Sequence, residues 1–137
     1  MTSMPRHLLE HPREVCIVRL APGASVDWPL GDAPLRAVLS SADETSVVCA
    51  VSAVPSGAKV QGPYAVVEVA GPLTFGAVGV FVEILAPLAD AGITVMVYST
   101  FDTDWILIPA DRRSEATQAW RKAGLIVTPP SLTGGPA

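Results

Sequence analysis

Charge is scarce in this sequence. Asp, Glu, Lys and Arg make up 16% of the 137 residues, against roughly 25% in an ordinary soluble domain. Surface left without charge is apolar or covered by a partner, so an oligomer is expected. Lysine occurs twice and arginine seven times, scattered along the chain, and 9 basic against 13 acidic residues leave a net charge of −4. With no basic stripe to follow a phosphate backbone, nucleic acid is excluded as a partner. Cysteine is limited to Cys16 and Cys49. Both lie in apolar runs, as reduced core thiols do, and this points to a cytoplasmic compartment rather than a secreted disulfide framework. Long apolar runs are missing too. The longest, Ala77 to Ala89, is broken by Glu83 and Pro87 and falls short of the ~20 residues that span a bilayer. Met1 to Arg13 holds Pro5, Arg6, His7, Glu10, His11 and Arg13 and lacks the apolar core of a signal peptide.

What is present is apolar: half of the residues, enough to fill the core of one or two small domains. Val15 to Leu20 reads as a strand ending at Ala21-Pro22-Gly23, and Ala24 to Pro34, with its prolines and glycines, as irregular chain. Leu35 to Ser40 and Ser46 to Val51 form a predicted hairpin around Ser41 to Thr45. Pro55 to Pro63 separates two halves.

The second half reads strand (Tyr64 to Val69), helix (Ala77 to Ala89), strand (Ile93 to Tyr98), strand (Trp105 to Ile108), helix (Arg112 to Ala123) and strand (Leu125 to Val127). Val78, Phe81, Val82, Leu85 and Leu88 are spaced as one stripe of the first helix. Asp111 is placed to cap the second, Ala116, Ala119, Trp120 and Ala123 share one of its faces, and Gly124 stops it. The order βαββαβ is the ferredoxin-like plan of the α+β class, an antiparallel sheet with its helices on one face. Val38 to Val48 aligns with Val97 to Leu107 at a constant offset of 59 residues, and the first strands align at about 50. Two ferredoxin-like units are therefore expected: a shortened one over residues 1–60, which has lost most of a helix, and a complete one over 61–128. The tail 129–137 is expected to be disordered.

Gly79, the run Leu85-Ala86-Pro87-Leu88-Ala89 through Gly92-Ile93, and the segment from Tyr98 to Ile108 resemble tandem ACT domains, among them bacterial paired-ACT proteins and the arginine sensor of animal cells. His7 to His11, Leu20 to Gly23 and Ser40 to Val48 extend the likeness over most of Arg6 to Val127. The resemblance implies a regulatory protein that binds a small molecule, usually an amino acid, between neighbouring ACT units of a homodimer. By position it implies Thr94 and Val95 from one unit, and from the other Gly79 and Val80 at a helix entry with Thr100, Phe101 and Asp104 on a hairpin. Acidic residues that the arginine sensor carries before this glycine are here Gly76 and Ala77, which favours a smaller or more apolar ligand. The chemistry agrees. Backbone N–H groups of Gly79 and Val80 at a helix start suit a carboxylate, Asp104 suits an ammonium, the two threonines add hydroxyls, and Phe101 supplies an apolar wall.

Plainer readings stand beside these. Asp102 and Asp104 also fit a hairpin turn whose carboxylates bond their own backbone. Gly79 also fits a close crossing of helix over sheet, and Thr94 and Val95 are ordinary strand residues. His7 and His11 are spaced for a metal on a helix but lack a third ligand, Cys16 and Cys49 lack a histidine partner, and no phosphate-cradling glycine loop or nucleophile elbow occurs. No metal, cofactor or catalytic residue is assigned. Glu68 and Glu83 sit inside apolar runs, are expected on the surface, and would favour an enzyme only if buried in one cavity. The alternatives to a sensor are a small isomerase, cyclase or lyase acting on an apolar metabolite, and an interaction module without a ligand.

Overall fold

The computed structural model describes residues 6–70 and 79–130. Phe75, Gly76, Ala77, Val78 and the tail from residue 131 lie outside them. Seven strands form one sheet: β1 (His7–Leu20), β2 (Ala37–Ser40), β3 (Thr45–Ala50), β4 (Lys59–Val69), β5 (Met96–Ser99), β6 (Asp104–Pro109) and β7 (Ile126–Thr128). The order is β2-β3-β1-β4-β6-β5, with β7 attached to β1. Neighbours are antiparallel except β1 and β7, which run parallel. Two helices follow the strand pattern of the second half, α1 (Val80–Asp90) and α2 (Arg113–Lys122). Among the described residues no helix is long and apolar enough to cross a membrane.

The two hairpins have one register. Ala37, Val38, Leu39 and Ser40 pair with Val48, Val47, Ser46 and Thr45, and adding 59 to each number gives the pairs of the second hairpin, Met96–Leu107 through Ser99–Asp104. Their turns repeat as well: the Ser41 N–H donates to the Glu44 carbonyl at 3.0 Å, and the Thr100 N–H to the Thr103 carbonyl at 2.8 Å. Local alternation and turn chemistry fix such a hairpin without help from the rest of the chain. The helices are not repeated. Residues 21–36 carry no helix, and the 3₁₀ turn Val51–Ala53 matches the one at Ala110–Arg112 but leads into no counterpart of α2. Val26, Trp28 and Leu30 pack instead on Val18, Val47 and Cys49.

Strand β1 starts at His7, eight residues before the expected start at Val15, because polar His7 to His11 is recruited by non-local pairing. It lies between β4 (Leu8 opposite Val69) and β7 (Leu8 opposite Val127). The last strand of the second half is thereby separated from β4, and that half has no four-stranded sheet of its own. Strand β4 likewise begins at Lys59, inside the expected boundary segment, because residues 59–61 pair with residues 17–19 of β1.

Both helices cover one face of the sheet. Val80, Ile84 and Leu88 of α1 and Ala116 and Trp120 of α2 pack on Ala65, Val67, Val69, Ile106 and Ile108. The expected α1 stripe holds in part: Leu88 is buried and Leu85 packs partly buried on the core, whereas Phe81 and Val82 are exposed and Val80 and Ile84 are buried in their place. A helix that is apolar at nearly every position permits two registers, and packing selects the one spaced i, i+4, i+8. Nor does Asp111 cap α2. A 3₁₀ turn, Ala110–Arg112, precedes the helix, and Arg112 occupies the cap position without a side-chain cap bond. Its guanidinium is taken by Glu115, at 2.7 and 2.9 Å, and by the carbonyls of Ala91 and Gly92.

Candidate functional site

The second hairpin turns at the end of the sheet where β4 finishes. Thr103 is buried, and its hydroxyl donates to the Val69 carbonyl, tying the loop to that strand end. Within the loop the Thr100 hydroxyl donates to the Thr103 carbonyl at 3.1 Å and accepts from the Thr103 N–H at 3.3 Å. Asp104 closes the loop opposite Ser99, whose hydroxyl donates to its Oδ1 at 2.7 Å. The Asp104 carboxylate is thus bonded to a neighbouring side chain, and its second oxygen has no hydrogen-bond partner among the described residues. Phe101 at the tip is 80% exposed.

Helix α1 ends beside the start of β5, where the Gly92 N–H donates to Ala89 and the Ile93 N–H to Leu88. Its first turn lies at the end of the sheet where β4 finishes: Glu83 pairs with Arg6 at 3.2 Å, and beside Arg6 the Ala70 N–H donates to the His7 carbonyl at 2.9 Å. Gly79 precedes it in the left-handed region, φ 83°, and an added Cβ would meet nothing within 4 Å. Glycine is required there by backbone angle rather than by a close helix crossing. No side chain caps α1, which leaves N–H groups of its first turn available. The Val80 side chain is itself buried in the core.

Thr94 and Val95 are not on the edge strand. They lie in the connection before β5, with Thr94 exposed and Val95 half-buried against the helix-covered core. In the β5–β6 register the residue opposite Thr94 would be Pro109, which has no N–H to extend the ladder. They stand at the far end of β5 from Thr100 and Phe101, about 14 Å along a four-residue strand. Within one chain the helix start and the hairpin loop thus lie at the same end of the sheet, and Thr94 and Val95 lie at the other end of β5.

Ser99 and Thr103 were not singled out in the sequence. The signal for both was present: Ser99 is the residue that a four-residue loop sets opposite Asp104, and Thr103 has an aliphatic strand on its C-terminal side. Of the two glutamates in apolar runs, Glu83 is exposed on α1 and pairs with Arg6 at 3.2 Å. Glu68 faces the opposite side of the sheet, half-buried and 2.9 Å from His11 Nε2. The exposure expected of Glu68 fails because the unforeseen first half of β1 covers it. The two share no cavity. His7 and His11 lie on a strand rather than a helix, His7 bonded to Thr128 and His11 to Glu68.

Residues 59–122 match the ACT_7 family model, an ACT domain. The matched segment runs from the start of β4 to the end of α2, and so contains the helix start, the second hairpin, Thr94 and Val95. No curated protein matches the sequence. Among solved structures, the protein Atu0741 from Agobacterium tumefaciens superposes with a TM-score of 0.86 at 21% identity, over 98% of this chain and all of that one. The regulatory subunit of aspartate kinase from Thermus flavus gives 0.56 at 13%, over 90% of this chain and 99% of that one. Aspartokinase III of E. coli, solved with aspartate and ADP, gives 0.61 at 13%, over 90% of this chain and 35% of that one. At these identities the likeness is one of fold.

Proposed function

We propose that the protein is a non-catalytic regulatory module that binds an amino acid between two copies of itself. The observation that carries this reading is the ACT match over residues 59–122, which contains a helix start and a hairpin loop at the same end of the sheet. The aspartate kinase regulatory subunit of similar fold, and aspartokinase III solved with aspartate, support it. The α1 N–H groups at Gly79 and Val80 take the ligand carboxylate, the free oxygen of Asp104 its ammonium, and Thr100 and Phe101 flank it. Thr94 and Val95 come from the second copy, since within one chain they stand at the other end of β5.

The shared register of the hairpins supports reading the chain as two ACT-like copies, 1–60 and 61–128, with the ligand site in the second alone. Thr45 holds the position of Asp104 and Ala42 that of Phe101. Thr45 is 2% exposed and offers a ligand no carboxylate. Dimerisation covers apolar surface that few charges protect, and a ligand held across it favours one arrangement of the two bodies.

A thermal-shift screen of the full chain against the common amino acids, with Asp104→Ala beside it, tests the function. Ligand at 100 times its Kd stabilises by about 2.7 kcal/mol. A shift lost in Asp104→Ala is expected; a flat screen, or a shift that the substitution leaves intact, overturns the proposal.

A further inference from the structure

The face of the sheet opposite the helices carries a second, separate cleft of about 450 Å³, lined by His11, Pro12, Arg13, Asp32, Pro34 and Arg36 among others. We infer that it binds a small organic carboxylate with a short apolar body, a site independent of the hairpin end.

Both walls are built and held. One is a bulge in β1: His11 pairs with Val66 and Val15 with Tyr64, so four residue steps on β1 stand against two on β4. The extra residues push Pro12 and Arg13 out of the ladder, as bulges do where they re-aim side chains. The other wall is the approach to β2. The Ala50 N–H donates to the Leu30 carbonyl at 2.9 Å, and Leu35 is buried among Val15, Val48, Tyr64, Val66 and Leu107. Asp32 and Arg36 thereby flank an anchored side chain, with their own side chains exposed to solvent.

The cleft holds two guanidiniums and one carboxylate. The Arg13 guanidinium pairs with Asp32, which neutralises the carboxylate in the cleft and leaves further N–H groups of Arg13 free. His11 donates from Nε2 to the Glu68 carboxylate at 2.9 Å and its ring lies 5.4 Å from that of Trp105, so the imidazole is held as a wall of the cleft. Arg36 makes no hydrogen bond or ion pair among the described residues, so its guanidinium retains its full donor fork for a carboxylate. Pro12 and Pro34 offer rigid apolar surface for the rest of the molecule.

The test is a titration of the isotope-labelled full chain followed by amide NMR, using 4-methylpentanoate and its neutral isostere 4-methylpentanamide as probes. The carboxylate is expected to shift the amides of residues 11, 13, 32, 33, 35 and 36 saturably, and the amide probe to leave them unmoved. Arg36→Met, at an exposed position, is expected to weaken binding about tenfold or more, with Arg36→Lys recovering part of it and Asp104→Ala leaving it unchanged. Absence of saturable shifts, equal shifts from the neutral probe, or unaltered affinity in Arg36→Met overturns the proposal.

Discussion

Ser99 and Asp104 face each other across the closing pair of the second hairpin, and the serine hydroxyl holds one carboxylate oxygen at 2.7 Å. The corresponding pair in the first hairpin is Ser40 and Thr45. One hairpin thus presents an oriented carboxylate, and its copy presents a buried hydroxyl.

Asp104→Ala removes the ligand's ammonium partner from a partly exposed loop end. The ligand-free protein is expected to lose no more than about 1 kcal/mol, while the amino-acid response disappears. Ser99→Ala keeps the carboxylate but releases its orientation, and binding is expected to weaken by a few fold rather than vanish. Paired melting curves with and without the amino acid separate the two.

Trp120 joins the helices: it is fully buried, and its Nε1 donates to the Ile84 carbonyl at 2.8 Å. Trp120→Ala opens a cavity and is expected to cost about 3–5 kcal/mol. Trp120→Phe keeps most of the apolar contact, loses the hydrogen bond, and is expected to cost clearly less. Urea denaturation followed by far-ultraviolet circular dichroism measures both.

Gly31 has φ 82°, and an added Cβ would stand 2.7 Å from the Ala50 Cβ and 3.1 Å from the Ala53 Cβ. Gly31→Ala combines left-handed strain with overpacking, about 2–4 kcal/mol together. A matching substitution at Gly23, where a Cβ meets nothing within 4 Å, carries the backbone strain alone. The difference between their denaturation midpoints isolates the contact with Ala50.

Cys16 and Cys49 face each other on β1 and β3, and burial pushes both thiols above the ordinary thiol range, with Glu14 adding to the shift at Cys16. Alkylation of the native protein at neutral pH is therefore expected to be slow, and to become fast on unfolding. Burial likewise raises Tyr64 and Tyr98. For all four groups the unfolded chain ionises first as pH rises, so the unfolded state binds fewer protons and stability falls. The loss begins near the ordinary thiol pKa and continues up to the raised values of the folded state. Denaturation midpoints that rise across alkaline pH would contradict this.

How much was legible depended on how local each feature is. Both hairpins, with their shared offset, could be read because alternation and turn residues determine them within about a dozen positions. The first half of β1 could not, since polar His7 to His11 becomes strand only by pairing with β4 and β7, far along the chain. The burial of Glu68, its contact with His11 and the cleft beside it follow from that strand and were hidden with it. The phase of α1 was ambiguous because apolar residues surround the helix. Thr94 and Val95 were placed one element too far along because the ladder stops where Pro109 cannot donate. At the site, Asp104 and Gly79 were visible as residue types in position, whereas the restraints from Ser99 and Thr103 required the folded hairpin.

Sedimentation analysis over a range of protein concentrations, with and without the amino acid that gives the largest thermal shift, tests most directly whether a ligand is held between two copies. The account predicts a monomer–dimer equilibrium that the ligand shifts toward dimer, with the shift lost in Asp104→Ala. A protein that binds the ligand as a monomer, or whose association the ligand leaves unchanged, would contradict it.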